Sequence, residues 1–194
     1  AGTATGGTGA ALAVTPDALA SSTPVFNGSG LTNIPRLISA SATNSSAVTN
    51  TTTETTVATI AIPANTLGTA NGVRFKAMIV PTWTAANAND FVIRVKYGGT
   101  TIGTITVDTT GTGITQTLNM LVDGYLVGAG TTSSQEGAIG VMTSAITNGT
   151  VATSFSTSSI DSTASQNLTI TLQWEFGTTT TTATLNSFIV EKVM

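Results

Sequence analysis

The sequence of 194 residues contains no cysteine and no histidine, and only 8% of its residues are charged. Without cysteine there can be no disulfide scaffold. The absence of both residue types also excludes thiolate or imidazole metal centres, haem ligation, and the Ser-His and Cys-His pairs of nucleophilic enzymes. With only six Lys and Arg residues, the chain has no basic patch that could neutralise a run of phosphates. We therefore expect no cofactor and no nucleic-acid partner.

Long apolar runs are also missing. No stretch approaches the roughly 20 apolar residues that span a bilayer, and the first twenty residues carry no Lys or Arg and no apolar core of a secretory signal. The sequence predicts no membrane insertion and no signal peptide.

Short hydroxyl side chains take the place of charges. The chain contains 43 threonines and 20 glycines, while 40% of its residues are hydrophobic. Threonine is β-branched and favoured in strands, and a domain of this size with so few charges is prone to associate. This composition predicts a β-rich structural protein that works as an oligomer.

Alternation of apolar and polar residues predicts strands from Leu37 onward. The clearest case is 167–176, where Leu168, Ile170, Leu172, Trp174 and Phe176 share one face. Further strands are predicted at 55–62, 73–79, 91–97, 100–107, 114–122, 125–128, 138–147, 150–156 and 183–193.

Two-residue turns join two pairs of these strands. Gly98-Gly99 and Asn148-Gly149 are typical of tight β-hairpins. Many short strands without an amphipathic helix predict an all-β fold, an antiparallel β-sandwich of jelly-roll type, over residues 41–194.

Residues 1–40 differ from this body. Ala1–Ala11 is a Gly/Thr/Ala tract without periodicity, typical of a flexible arm. Thr15–Ala20 has a capping Thr15, Pro16 at the first helical position and Asp17 in the first turn, which predicts one short helical turn. We expect an extended N-terminal arm that attaches to partners or interlocks copies.

Two segments of this arm resemble elements of bacteriophage proteins. Residues 11–20, Ala-Leu-Ala-Val-Thr-Pro-Asp-Ala-Leu-Ala, resemble the "AVTPxxLA" element of phage tail fibres and related virion proteins. Residues 26–35, Phe-Asn-Gly-Ser-Gly-Leu-Thr-Asn-Ile-Pro, resemble the "GSGLTNIP" segment of trimeric virion appendages. More loosely, 54–67 and 187–192 are similar to the opening and closing strands of the jelly-roll domains that cap phage appendages.

The resemblance implies a homotrimer on the exterior of a phage particle, held to capsid or tail proteins by the arm. Its attachment residues would be Val14, Pro16, Leu19, Phe26, Leu31 and Ile34. The chain lacks the shaft repeat of long fibres, which favours a short appendage or a decoration protein.

One loop has ligand-binding chemistry. Asn87, Asn89 and Asp90 supply oxygen ligands beside Trp83, so the loop can hold Ca²⁺ or place a sugar against the indole ring. The alternatives are an Asx turn that starts the next strand and a Trp83 that packs in the core or at a subunit interface.

The remaining catalytic option is a pair of carboxylates, as in glycosidases. Glu175, Asp90, Asp123 and Glu136 are the candidates, with Asp123 and Glu136 expected in loops near glycines, and no spacing pairs any two of them. Solvated surface or turn positions are expected, and therefore no enzymatic activity.

Together these points predict a non-enzymatic virion structural protein, a trimeric short tail fibre or receptor-binding tip. The alternatives are a capsid fibre or head decoration protein, and a polysaccharide-binding or depolymerising appendage. Its partners would be other virion proteins and a host surface glycan or receptor. A bacterial surface-layer or adhesin subunit is a further alternative.

Overall fold

The computed structural model describes residues 36–84, 90–107, 115–143, 153–177 and 181–193. The predicted helical turn at Thr15–Ala20, all six attachment residues and the predicted Asn148-Gly149 turn lie outside these ranges.

Twelve strands and no helix occur within the described ranges. The strands are β1 (Arg36–Ser41), β2 (Val48–Thr49), β3 (Thr55–Ile62), β4 (Gly72–Thr84), β5 (Phe91–Tyr97), β6 (Thr100–Val107), β7 (Thr115–Thr117), β8 (Met120–Gly128), β9 (Gln135–Thr143), β10 (Thr153–Ser158), β11 (Gln166–Trp174) and β12 (Thr181–Val193). The described residues therefore include no helix long and apolar enough to cross a membrane.

The strands form two antiparallel sheets. The larger sheet has the order β1-β12-β4-β8-β9-β10, with β2 paired to β12 and β7 to β4, and the smaller sheet has the order β3-β11-β5-β6. Early strands pair with late ones, β1 with β12 and β3 with β11, as in a jelly roll. The predicted all-β sandwich is confirmed.

The inner faces of the two sheets form one apolar core. Phe75 of the larger sheet and Phe91, Tyr97 and Trp174 of the smaller sheet are almost fully buried. The rings of Phe91 and Trp174 lie 4.8 Å apart in a tilted arrangement that aromatic pairs prefer. Burial of these large side chains stabilises the body, which contains no disulfide.

Several predicted strands are confirmed closely. β3, β5 and β6 have the predicted limits. The Gly98-Gly99 turn joins β5 to β6, and both glycines have positive φ, 54° and 85°, as a tight hairpin requires.

Three details of the prediction were wrong. β8 runs without a break through Asp123, so the loop expected there is absent. Gly124 pairs with Phe75, and its missing side chain makes room for that ring: a Cβ at Gly124 would lie 2.2 Å from Phe75 Cζ.

The second detail is Glu136, which lies in β9 rather than in a loop. Phe176 is exposed, since β11 ends at Trp174.

The start of the body also differs from the boundary at residue 40. Residues 36–40 lie in β1, which pairs with β12. Ile38 packs against the core, and this contact explains why these residues join the sheet.

Candidate functional site

The outer face of the larger sheet carries a continuous row of cross-strand partners. From β10 to β12 the row reads Phe155, Ala138, Tyr125, Arg74 and Glu191. Because paired residues of neighbouring strands point to the same side of a sheet, these side chains lie beside one another on the outside of the sandwich.

Large apolar side chains are exposed on this surface. Its exposed members, which we call the apolar face, are Leu37 (63% exposed), Tyr125 (45%), Met142 (58%), Phe155 (67%) and Ile189 (36%). Single exposed apolar residues are common. Here they fall into two groups, because the charged residues Glu191, Arg74 and Lys76 lie in register between the β1–β12 side and the β8–β10 side.

A groove lies between Tyr125 and Phe155. Both residues pair with Ala138 of the intervening strand β9, so their strands are about 9.6 Å apart, twice the usual strand spacing. Ala138 and Gly140 line the groove together with Asp123 and Thr153, and its volume is about 390 Å³. The groove is broadly open to solvent, so it is a surface depression and not an enclosed small-molecule cavity.

An ion-pair cluster borders the groove. Arg74 Nε donates to Asp123 Oδ1 at 3.3 Å and its Nη2 donates to Oδ2 at 2.8 Å, while Lys76 Nζ lies 3.6 Å from Oδ2. The guanidinium of Arg74 also lies 5.5 Å from the centre of the Tyr125 ring, a cation–π distance. The cluster therefore holds Tyr125 and Asp123 in place along one side of the groove.

The charge state of Asp123 follows from these contacts. Partial burial by itself would raise the pKa of the carboxyl group, but the hydrogen bonds and charge of Arg74, together with Lys76, outweigh burial and lower the pKa below its usual value. Asp123 is therefore a permanent carboxylate near neutral pH, able to accept hydrogen bonds and unable to donate a proton.

A similar cluster lies on the outer face of the smaller sheet. Glu54 pairs with Lys96 and lies 3.7 Å from Arg94 Nη1, and it accepts a 2.7 Å hydrogen bond from the Thr171 hydroxyl. The hydrogen bond from Lys96 is the largest cause that lowers the pKa of Glu54, ahead of the opposing effect of partial burial.

Threonine dominates the rest of that face. Register places on it Thr59 of β3, Thr169 of β11, Lys96 of β5 and Thr101 of β6 in one row. The two outer faces of the sandwich thus share a cluster of one carboxylate with one Arg and one Lys, but differ in the side chains around it.

The predicted ligand loop is only partly described. Asn87 and Asn89 lie outside the described residues. Trp83 is 3% exposed in the core, and its indole N–H has no acceptor within the described ranges. Trp83 is therefore core packing, as one of the alternatives held, and the interpretation as an exposed ligand platform was wrong.

Asp90 leads into β5 and lies beside the end of β11. The backbone N–H of Glu175 donates to the Asp90 carbonyl at 2.8 Å, and the backbone N–H of Asp90 reaches Glu175 Oε2 at 3.4 Å. The structure thus brings together two of the four candidate carboxylate residues as a strand-end contact. Asp123 and Glu136 lie on strands of the other sheet. Among the described residues, no group of three acidic side chains could hold a metal ion.

A buried glutamine connects two loops and was missed by the sequence analysis. Gln135 is fully buried; its Nε2 donates to the carbonyls of Thr132 and Ile160, and its Oε1 accepts from the Ser158 hydroxyl and the Ile160 N–H. Gln135 lies two residues before Gly137 and four before Ile139, so it is in phase with the inward face of β9. This phase was the available signal that its side chain is buried.

The exposed aromatics of the groove were also missed. Tyr125 occupies the outward phase of β8, beside the inward Leu126, and an aromatic in that polar phase was the signal that could have found it. Phe155 is the one apolar residue of β10, so alternation gave no signal that it faces outward.

No family model and no curated protein matches this chain. Among solved structures, it is similar to the CBM2 module of the evolved Dit protein of Lactobacillus casei BL23 phage J-1, with a TM-score of 0.35 and 10% sequence identity over 70% of this chain and 68% of that one. A TM-score this low assigns neither a fold family nor a function to this chain.

Proposed function

We propose that this protein is a non-enzymatic structural and adhesive component of the exterior of a bacteriophage particle, a homotrimeric short tail fibre or receptor-binding tip. The observation that carries the proposal is the apolar face of the larger sheet. A domain with a complete core has no need of these exposed side chains for its own folding, so a face of this kind supports contact with another molecule.

The two halves of the apolar face have different surroundings. Leu37 and Ile189 lie at the β1–β12 side, whereas Tyr125 and Phe155 lie at the β8–β10 side, next to the groove. We assign the first half to contacts between copies and the second to adhesion. The trimeric state follows from the resemblance of the N-terminal elements to those of phage appendages.

Two ion-paired carboxylates, Glu54 and Asp123, are unsuited to act as a catalytic pair. Glu54 and Asp123 are held as ion pairs by neighbouring cations, and the two clusters lie on opposite outer faces of the sandwich. They cannot converge on one substrate, and their lowered pKa values oppose a role as proton donors.

Native mass spectrometry of the full chain at micromolar concentration tests the assembly. We expect a trimer that dissociates when Leu37 and Ile189 are both replaced by Asp, since the charges would be buried between copies. The matched control, Thr59→Asp with Thr169→Asp on the other face, should remain a trimer. A monomeric wild-type chain would contradict the proposal, as would equal dissociation of both variants.

Antibodies raised against the body test the location. We expect them to label the exterior of phage particles that contain this protein, as seen by electron microscopy. Absence of the chain from particles purified from its source would overturn the virion assignment.

A further inference from the structure

We propose that the groove between Tyr125 and Phe155 binds a neutral oligosaccharide by stacking sugar rings on the two aromatic side chains. This inference deepens the adhesive part of the proposed function and rests on it. The geometry that points to it is the combination of two exposed rings, a floor of small residues, and polar groups beside them.

The aromatic pair has the arrangement that a sugar chain needs. A pyranose ring presents one face of C–H groups, which are attracted to the electron-rich face of an aromatic ring. Tyr125 and Phe155 are separated by one strand, so each can stack on a different ring of the same chain. Both are exposed, and the contact of Tyr125 with Arg74 limits its motion.

The floor of the groove leaves room for a ligand. Ala138 lies directly between the two aromatics, and Gly140 lies in the next outward position of β9. A Cβ at Gly140 would meet only Thr153 Cγ2, at 3.7 Å. The glycine is therefore not required for packing within the sheet, and its effect is to leave this part of the groove floor without a side chain.

The polar groups fit hydroxyls rather than a charged ligand. Asp123 is a carboxylate with acceptor capacity, and the Thr153 side chain lines the same groove. Around them lie two cations, Arg74 and Lys76, and three carboxylates, Asp123, Glu191 and the outward-facing Glu136 of β9. The small negative charge that remains disfavours an acidic polysaccharide or a phosphorylated ligand.

An added peptide strand does not fit this site. β9 forms the floor, and its backbone is paired with β8 on one side and β10 on the other. β9 therefore offers no free row of N–H and C=O groups for strand addition, although β10 is the last strand of the larger sheet. Recognition at the groove floor has to use side chains, as sugar stacking does.

The test is isothermal titration calorimetry of the full chain with neutral hexasaccharides of glucose, galactose, mannose and N-acetylglucosamine, each titrated separately. We expect at least one of them to bind, and Phe155→Ala and Tyr125→Ala each to weaken binding about tenfold or more, the size of effect found when nucleobases lose an aromatic stacking partner. Phe176→Ala is the matched control, because Phe176 is exposed but lies outside the groove; its affinity should equal that of the wild type.

Gly140→Val tests whether a side chain placed in the groove blocks binding while both aromatic rings are kept. The valine should abolish binding while the circular dichroism spectrum and the melting temperature stay close to those of the wild type. The inference is overturned if none of the four hexasaccharides binds, if Phe176→Ala weakens binding as much as Phe155→Ala, or if Phe155→Ala changes the native mass of the protein and leaves sugar binding intact.

These results are distinguishable from failure of the proposed function. A trimer present on phage particles but without affinity for any of the sugars contradicts only the saccharide site. A monomer absent from particles that still binds sugar at the groove contradicts only the virion assignment.

Discussion

The two outer faces of the sandwich carry the same kind of ion-pair cluster in opposite surroundings. On the smaller sheet, Glu54 with Arg94 and Lys96 is surrounded by threonines; on the larger sheet, Asp123 with Arg74 and Lys76 is surrounded by exposed apolar side chains. In both, the two cations lie two residues apart on a strand at the middle of the sheet.

Within each sheet the ion-pair cluster and the exposed residues around it have different effects. Each cluster joins side chains of different segments, so both have a role in positioning strands. A hydroxyl-coated face remains hydrated at low charge, whereas the apolar face gains by being covered.

The largest effect is expected from a substitution beneath the apolar face. Gly124→Val would push the Phe75 ring out of its position in the core and lower the free energy of unfolding by about 3 kcal/mol. Gly140→Val, on the outward side of the same sheet, should change it by less than about 1 kcal/mol. Urea denaturation of both variants measures the difference, and equal losses would contradict the described packing.

Removal of the carboxylates tests the two clusters against each other. Asp123→Asn and Glu54→Gln should each lower the free energy of unfolding of the dissociated chain by about 1 kcal/mol, since each leaves an Arg and a Lys without their partner and the sites are partly hydrated. The two losses should stay alike in the assembled protein, because Asp123 lines the groove that is assigned to adhesion and stays open there. Thermal unfolding above and below the assembly concentration provides the measurement. A much larger loss for Asp123→Asn on assembly would show that copies cover the groove, against the division of the apolar face.

Acid should weaken both clusters. The folded-state pKa values of Asp123 and Glu54 are lowered, so the stability they contribute is present above the unfolded-state values of about 4 and is lost as the pH falls through the lower folded-state values. We expect the melting temperature to fall below about pH 4, and to fall less steeply in the Asp123→Asn, Glu54→Gln double variant. Parallel curves for the two proteins would show that other groups control acid stability.

The smallest effect on stability concerns the exposed side chains themselves. Met142→Thr puts a hydroxyl side chain on the apolar face, and Thr169→Val puts an apolar side chain on the threonine-rich face. Each should change the free energy of unfolding by less than about 0.5 kcal/mol. Solubility should move in opposite directions, rising for Met142→Thr and falling for Thr169→Val in the dissociated chain. The ammonium sulfate concentration at which each variant precipitates measures its solubility. Equal solubility of the two variants would show that the two faces do not differ in their hydration.

Much of the fold could be predicted from the sequence because strand alternation is a local signal. The limits of β3, β5 and β6 follow from it, as does the Gly98-Gly99 hairpin. The run of β8 through Asp123 and Gly124 could not be predicted, since Gly124 acts through Phe75, a residue 49 positions earlier.

The candidate site was much less predictable. The oxygen-rich sequence near Trp83 suggested a ligand platform, because the sequence around a tryptophan does not reveal whether the ring is buried, and Trp83 lies in the core. The groove requires β8, β9 and β10 to be neighbours in register. That arrangement depends on long-range pairing, which the residues around Tyr125 and Phe155 do not encode locally.

Hydroxyl-radical footprinting of the full chain at assembling concentration tests most directly whether the apolar face is a contact surface. The account predicts that Leu37 and Ile189 are protected relative to the dissociated chain, whereas Phe176 reacts equally in both states. Equal reactivity of all three residues at both concentrations would contradict it.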